Sequence, residues 1–298
     1  MHKKYNVVIL GYGEMGHAMQ FLLNGAHNVS IWDKFPQPGF KSARLDVIIP
    51  QADFVLFCLP VNPHRDVLIH IKPLLNHHCI SLSIAKGLDE SGLNAAQIFQ
   101  DVLGDEFAYG LIYGPMISEE IRAGRYAFAQ LGSLHSETCE ATLELFKQTR
   151  LHLQTTVDIT GISWSVILKN VYALLFGMAD ELKLGDNMRG FLAVEAVREL
   201  DKIVLSMGGG AGSPYDLAGL GDLITTATSE DSHHHSLGRQ LARGERTHID
   251  GEGVHTLDMV IKHQLFKKED YPLFNLTYDI VKKPHNVEVM LQDYITNK

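Results

Sequence analysis

From Tyr5 to about Asp158, short apolar runs alternate with stretches whose apolar positions recur at helical spacing. NVVIL (6–10), NVSIW (28–32), FVLFCL (54–59), CISLSI (79–84), YGLIYG (109–114), YAFAQL (126–131) and LHLQTTV (151–157) read as strands. Strands this continuously apolar must be covered on both faces, which predicts a mostly parallel sheet with crossover helices packed on either side. After Asp158 the strand signal stops. WSVILKNVYALLFGMADEL (164–182) and RGFLAVEAVRELDKIVLSM (189–207) predict long helices, and GGGAGS (208–213) with Pro214 predicts a break after them. The expected fold is an α/β domain with a doubly wound sheet over 1–158, followed by an all-α domain over 159–298.

Length agrees with this division: 298 residues, at roughly 150 per domain, allow two cores. Composition is that of a soluble globular protein, with 45% hydrophobic and 20% charged residues. A net charge of -9 gives no basic field for nucleic acid or an anionic membrane surface. No metal is expected. Cys58, Cys79 and Cys139 are odd in number and unevenly spaced in mostly apolar runs, which predicts reduced, buried thiols and a cytoplasmic location. The apolar run before Gly11 is too short for an export signal, and no later run is expected to approach the length and apolarity of a membrane span. The expected partner is therefore a small-molecule substrate, with a homodimer left open as the assembly.

The first strand runs into Gly11-Tyr12-Gly13-Glu14-Met15-Gly16 and then a helical pattern. In that setting the first glycine makes the tight turn, the second lets backbone amides approach a pyrophosphate, and the third lets helix and strand pack closely. Asp33 ends the second strand, where a carboxylate accepts hydrogen bonds from adenosine ribose hydroxyls. That favours NAD as cofactor over NADP, although Lys34 beside it could reach a 2′-phosphate. A glycine turn in an α/β domain that binds no nucleotide is the alternative.

Reduction of a ketone needs a proton donor for the oxygen as hydride arrives at carbon. Lys169 lies in an apolar helical pattern among Val166, Ile167, Leu168 and Val171. Burial lowers a lysine pKa and a carboxylate such as Asp222 raises it, so the pair could form a tuned acid. Each candidate has a simpler reading: Lys169 as a side chain reaching past a helix rim to water, Lys86 as a loop charge, and Asp222 as a helix cap.

Taken together, GYGEMG (11–16), AKG (85–87), YGPMISEEIRAG (113–124), LKN (168–170), LGDNMR (184–189), AGLGDLITT (218–226) and DGEGV (250–254) resemble the NAD(P)-dependent glycerol-3-phosphate dehydrogenases. The resemblance covers most of the chain, and the order of the motifs is more specific than any one of them. It implies a Rossmann-type domain, a helical substrate domain, and reduction of dihydroxyacetone phosphate to sn-glycerol 3-phosphate. By position Lys169 resembles the family's proton-transferring lysine, with Asp222 and Thr226 as its partners. Lys86 resembles a second lysine near cofactor and substrate, Asn170 a substrate-phosphate contact, and Glu252 an acidic residue facing the cofactor. Pro60, after the third strand, and Gly114, after the fifth, complete the expected cofactor and substrate contacts.

Three departures from the family pattern stand out. Where the family places Arg-Asn on the substrate phosphate, this chain has His233 and His234. Histidine cannot make arginine's bidentate fork. SWSVIL (163–168) replaces an acidic residue followed by small ones, and Glu195 in VEA (194–196) reverses the charge of an arginine. The triplet His233-His234-His235 has three readings: a metal site, which consecutive helical residues pointing about 100° apart do not favour; a weak anion site at a helix beginning at Ser232; and a solvated helix start. The expected activity is hydride transfer to a small ketone. The alternatives are a divergent dehydrogenase for a non-phosphorylated or carboxylate-bearing substrate, and a nicotinamide-nucleotide-binding protein without catalysis.

Overall fold

All seven apolar runs form strands in the computed structural model, which describes residues 3–229, 232–282 and 286–297. These are β1 (Asn6–Leu10), β2 (Asn28–Trp32), β3 (Phe54–Phe57), β4 (Ile80–Ser83), β5 (Tyr109–Tyr113), β6 (Ala127–Gly132) and β7 (Leu151–Thr156). They make one sheet of order β2-β1-β3-β4-β5-β6-β7. The first five strands are mutually parallel, β6 runs antiparallel to β5, and β7 is parallel to β6. The intervening helices are α1 (Glu14–Leu23), α2 (Leu45–Ile48), α3 (His64–Ile71), α4 (Ala95–Leu103), α5 (Ser118–Arg122) and α6 (Ser136–Phe146). At five residues, α5 advances only about 7 Å along its axis. That is too little to return the chain to the far end of the sheet for another parallel strand, so β6 reverses.

Helix α1 shows how the pattern becomes packing. Its residues Gly16, Ala18, Met19 and Leu23 are buried, and the last three join Val7, Ile9, Phe54 and Leu56 of the sheet in one apolar cluster. The three cysteines are unbonded; Cys79 is buried, while Cys58 and Cys139 are only partly so, which corrects the expectation of uniform burial.

By contact the chain divides into two compact units: one comprises the chain up to Lys86 together with Leu93–Ile159, the other Gly87–Gly92 together with the chain from Thr160 onward. The second unit holds α7 (Ile159–Glu181), α8 (Gly185–Ser206), α9 (Asp222–Thr228), α10 (His233–Ala242), α11 (Glu252–His263), α12 (Pro272–Lys282) and α13 (Val287–Thr296), with no strand among its described residues. Contrary to the sequence expectation, α7 is long and apolar enough to cross a bilayer, with a mean hydropathy of 1.4 over 18 residues. Yet 94% of that window is buried inside the protein, as in a core helix. Glycines let its neighbours lie directly on it. A Cβ at Gly177 would stand 2.0 Å from the His235 carbonyl oxygen, and one at Gly238 would stand 2.0 Å from that of Leu174. Backbone contact of this kind fixes α10 against α7 with little freedom to slide.

A buried carboxylate ties α8 to two other helices. Glu199 accepts the Tyr172 hydroxyl at 2.8 Å and the Leu273 and Phe274 N–H groups at 2.8 and 2.6 Å, which satisfies the N-terminus of α12. Burial raises its pKa, against the pull of these hydrogen bonds. The folded state thus holds the proton more tightly than the unfolded chain, and this contribution is lost as pH rises through the folded pKa. Glu199→Gln is expected to gain on the wild type between pH 4 and pH 7 in urea-unfolding midpoint. Glu199→Ala, which strands three donors, should cost about 1–3 kcal/mol at either pH. A midpoint difference for the glutamine variant that does not change with pH would show that the carboxylate's ionisation is immaterial.

Candidate active site

Strand β1 lies between β2 and β3, the point where sheet order reverses and where open α/β sheets bind ligands beyond their carboxyl edge. The glycine turn follows β1 at that edge. Gly11 has φ +95°, and a Cβ on it would meet the Cys58 carbonyl oxygen at 2.8 Å; one on Gly16 would stand 2.1 Å from the Gly11 oxygen. Both positions therefore require glycine for the turn itself. Gly13 differs: a Cβ there would meet no protein atom within 4 Å, and no side chain caps the start of α1 beside it. The result is a bare helix N-terminus with room for a phosphate group to approach.

The other expected cofactor residues of this unit lie within the turn or just beyond the ends of its strands. Asp33 accepts the Tyr12 N–H at 2.6 Å on one oxygen and the Phe35 N–H at 2.7 Å on the other. It thus braces the turn, and a carboxylate with about four acceptor positions can still take a ribose hydroxyl. Lys34 turns its ammonium over the Phe35 ring, 5.5 Å from the centroid. The Tyr12 ring stacks on His17 at 3.8 Å between centroids, and Phe40 lies 4.5 Å from it. Glu14 accepts the Ser118 hydroxyl at 3.2 Å, and Met15 packs on the apolar cluster. Pro60 is exposed just beyond β3, and Lys86 is partly buried just beyond β4. Gly114 has a packing reason of its own, since a Cβ there would stand 2.6 Å from the Phe128 carbonyl oxygen on β6.

In the helical unit, Lys169 is 4% exposed, with its Nζ 3.1 Å from Asp222 Oδ2 and 2.6 Å from Thr226 Oγ1. Asp222 and Thr226 are four residues apart on α9, so they share one face and meet the lysine together. Of the three simpler readings, those for Lys169 and Asp222 are set aside: the ammonium is buried rather than reaching water, and Gly221, not Asp222, occupies the N-cap position of α9. The arrangement is a buried, hydrogen-bonded acid with a fixed counter-charge, suited to delivering a proton to an oxygen that gains negative charge.

Next to Lys169, Asn170 donates to Glu252 Oε2 at 2.9 Å, while its Oδ1 is buried with no hydrogen-bond partner among the described residues. Gly253 brings α11 onto α7 here: a Cβ would stand 2.4 Å from the Asn170 carbonyl oxygen.

The three consecutive histidines do three different things. His233 Nε2 lies 2.9 Å from the Asp250 carbonyl oxygen, which can only accept, so this nitrogen carries a proton. His234 Nε2 accepts the Gly253 N–H at 3.3 Å, so it carries none. His235 is 5% exposed and bonds Asp180 at 2.6 Å. Burial opposes ionisation of Asp180, but hydrogen bonds from Arg189 and His235 together hold its pKa below the usual carboxylate range. The helix starts as expected, with Ser232 as N-cap accepting from the His235 N–H; Glu230 and Asp231 lie outside the described residues. No group of three or more metal-ligating side chains is placed around one point among the described residues. The other two departures are absorbed locally. Trp164 is buried with Phe266 6.2 Å away, edge to face, and Glu195 pairs with Arg198 on the next turn.

Sequence reasoning named Lys169, Asp222, Thr226 and the glycine turn, the first three of which the structure brings together. It missed the pairing of Asn170 with Glu252, the His235–Asp180–Arg189 network and a buried histidine, His64. Those pairs are 9 to 82 residues apart along the chain, and no local pattern announces them.

Residues 34–139 match the family model of the N-terminal region of NAD-dependent glycerol-3-phosphate dehydrogenase, and residues 158–292 match that of its C-terminal region. A relative from Mycobacterium tuberculosis (strain ATCC 25618 / H37Rv), named glycerol-3-phosphate dehydrogenase [NAD(P)+] 1, is 34% identical over 195 residues, which is 65% of this chain. The match spans only 57% of that relative's length. A glycerol-3-phosphate dehydrogenase [NAD(P)+] from Nitratidesulfovibrio vulgaris (strain DP4) is 26% identical over 326 residues, covering 98% of both chains. The crystal structure of glycerol-3-phosphate dehydrogenase from Coxiella burnetii superposes with a TM-score of 0.86 at 23% identity, covering 98% of this chain and 99% of that one. At that identity the likeness speaks for the fold.

Proposed function

The chain belongs to the NAD-dependent glycerol-3-phosphate dehydrogenase family, and we propose that it transfers hydride between NAD(P)H and C2 of dihydroxyacetone phosphate, forming sn-glycerol 3-phosphate. The observation that carries this reading is the buried Lys169–Asp222–Thr226 group, which a protein that only bound nucleotide would not need.

The residues around the glycine turn suit a dinucleotide: the bare N-terminus of α1 for its pyrophosphate and Asp33 for its ribose. When bound, that cofactor supplies the hydride. Lys169 delivers the proton to the C2 oxygen. Asp222 balances the ammonium charge, and Thr226 fixes the direction of one N–H. In the reverse direction neutral Lys169 takes the hydroxyl proton. Lys86 adds positive charge where the alkoxide develops. Asp33 disfavours a 2′-phosphate, so NADH is the expected reductant and NADPH the weaker one.

A second reading, a substrate with a carboxylate or an uncharged tail, is favoured by one observation. Both His233 and His234 already use Nε2 within the unit, and neither is an arginine. Oxidation of NADH and NADPH, followed with dihydroxyacetone phosphate, dihydroxyacetone and small keto acids from about pH 6 to 8, distinguishes the two. Turnover that prefers the phosphate ester supports the proposal. No turnover with it at any pH, while cofactor still raises the melting temperature, removes it.

A further inference from the structure

His64, at the start of α3, is fully buried, yet the chemistry above has no use for it. Its Nδ1 lies 2.8 Å from the Pro60 carbonyl oxygen and its Nε2 lies 2.9 Å from Ser83 Oγ. A carbonyl oxygen only accepts, so Nδ1 carries the ring proton and the neutral ring's Nε2 must accept. Ser83 Oγ–H is therefore the donor to Nε2, and its lone pairs are left to accept the Ala85 N–H at 3.1 Å. Every proton in the chain has one direction: Ala85 N–H to Ser83 Oγ, Ser83 O–H to His64 Nε2, and His64 Nδ1–H to the Pro60 carbonyl.

Burial keeps the ring neutral, with its pKa pushed down to about 4. Phe57 and Phe99 hold it in place, with centroids 4.9 and 6.0 Å away. From the other side, the Tyr113 hydroxyl donates to the Ala85 carbonyl at 2.8 Å. Both backbone polar groups of Ala85, the residue preceding Lys86, are thus held by side chains, and the same histidine holds the turn that carries Pro60.

We propose that His64 is a positioning residue, which through Ser83 fixes the backbone that presents Lys86. The proposal rests on the reading that Lys86 serves the reaction. A surface histidine after a proline would be unremarkable, but a buried ring joining the ends of β3 and β4 by directed hydrogen bonds sets the place of whatever follows those strands.

The test uses the full-length enzyme with His64→Leu, Ser83→Ala and the double variant. Each single variant is expected to lower kcat about tenfold, with the NADH dissociation constant moving less than about threefold. The double variant should fall no further than the worse single one, because both cut the same chain. Losses that multiply in the double variant, or a lowered melting temperature with kcat of the folded enzyme unchanged, would overturn the proposal. Should His64→Leu not fold, Ser83→Ala alone decides by the same split. Lys86→Ala keeps the two readings apart: full turnover in that variant removes Lys86 from the reaction. Positioning is then read by amide hydrogen exchange across Ile84–Gly87, where faster exchange in Ser83→Ala supports the proposal and unchanged exchange overturns it.

Discussion

Lys169→Ala is expected to reduce turnover about a thousandfold, in the middle of the range typical for loss of a general acid, and to leave NADH affinity within about twofold. The lysine belongs to the helical unit and its contacts are with Asp222 and Thr226, whereas the glycine turn and Asp33 belong to the other unit. Stability is a separate matter and must be measured beside activity. Removing the ammonium leaves Asp222, 3% exposed, without its counter-charge, at a cost of about 3–5 kcal/mol. Lys169→Ala with Asp222→Asn removes both charges, so it should recover most of that stability and none of the turnover. Steady-state rates, NADH titration and urea unfolding on wild type, single and double variants check each part. If turnover returns together with stability in the double variant, the lysine only held the fold and the proton comes from elsewhere.

What could be read in the sequence follows from the range of the interactions. Strands declare themselves through uninterrupted apolar runs such as FVLF, whose four residues are buried on both faces of the sheet. The glycine turn is equally local, since Gly11 and Gly16 are required by atoms within a few residues or on the next strand. Lys169 was conspicuous as a charge in an apolar helix and Asp222 as a carboxylate that could pair with it, whereas Thr226 was implied only by the family resemblance. The histidine triplet was not readable in this way. Whether each ring donates, accepts or ion-pairs depends on Asp250, Gly253 and Asp180, groups that only the packing of α10 against α7 and the start of α11 brings near. His64 is the extreme case. A proline-histidine pair at a helix start has the local appearance of a surface turn, and only the sheet order, which sets β3 beside β4, places Ser83 against it.

The second large effect is expected from His233→Arg with His234→Asn, which should raise kcat/KM for dihydroxyacetone phosphate about ten- to a hundredfold at pH 8. A hydrogen bond to a charged group contributes about 1.5–3 kcal/mol, and each 1.4 kcal/mol is about tenfold. The present rings, when neutral, cannot supply arginine's paired, charged donors. His233 spends its Nε2 proton on the Asp250 carbonyl, so its Nδ1 has only a lone pair to offer, and His234, which accepts the Gly253 N–H on Nε2, keeps a single N–H, on Nδ1. A guanidinium offers its donors in pairs and stays charged throughout the neutral range. Dihydroxyacetone, which has no phosphate, should show no such gain. A variant that gains on both substrates alike has changed something other than the grip on the anion. A variant that gains on neither shows that this turn does not meet the substrate, and the departure from arginine then has no bearing on which ketone is reduced.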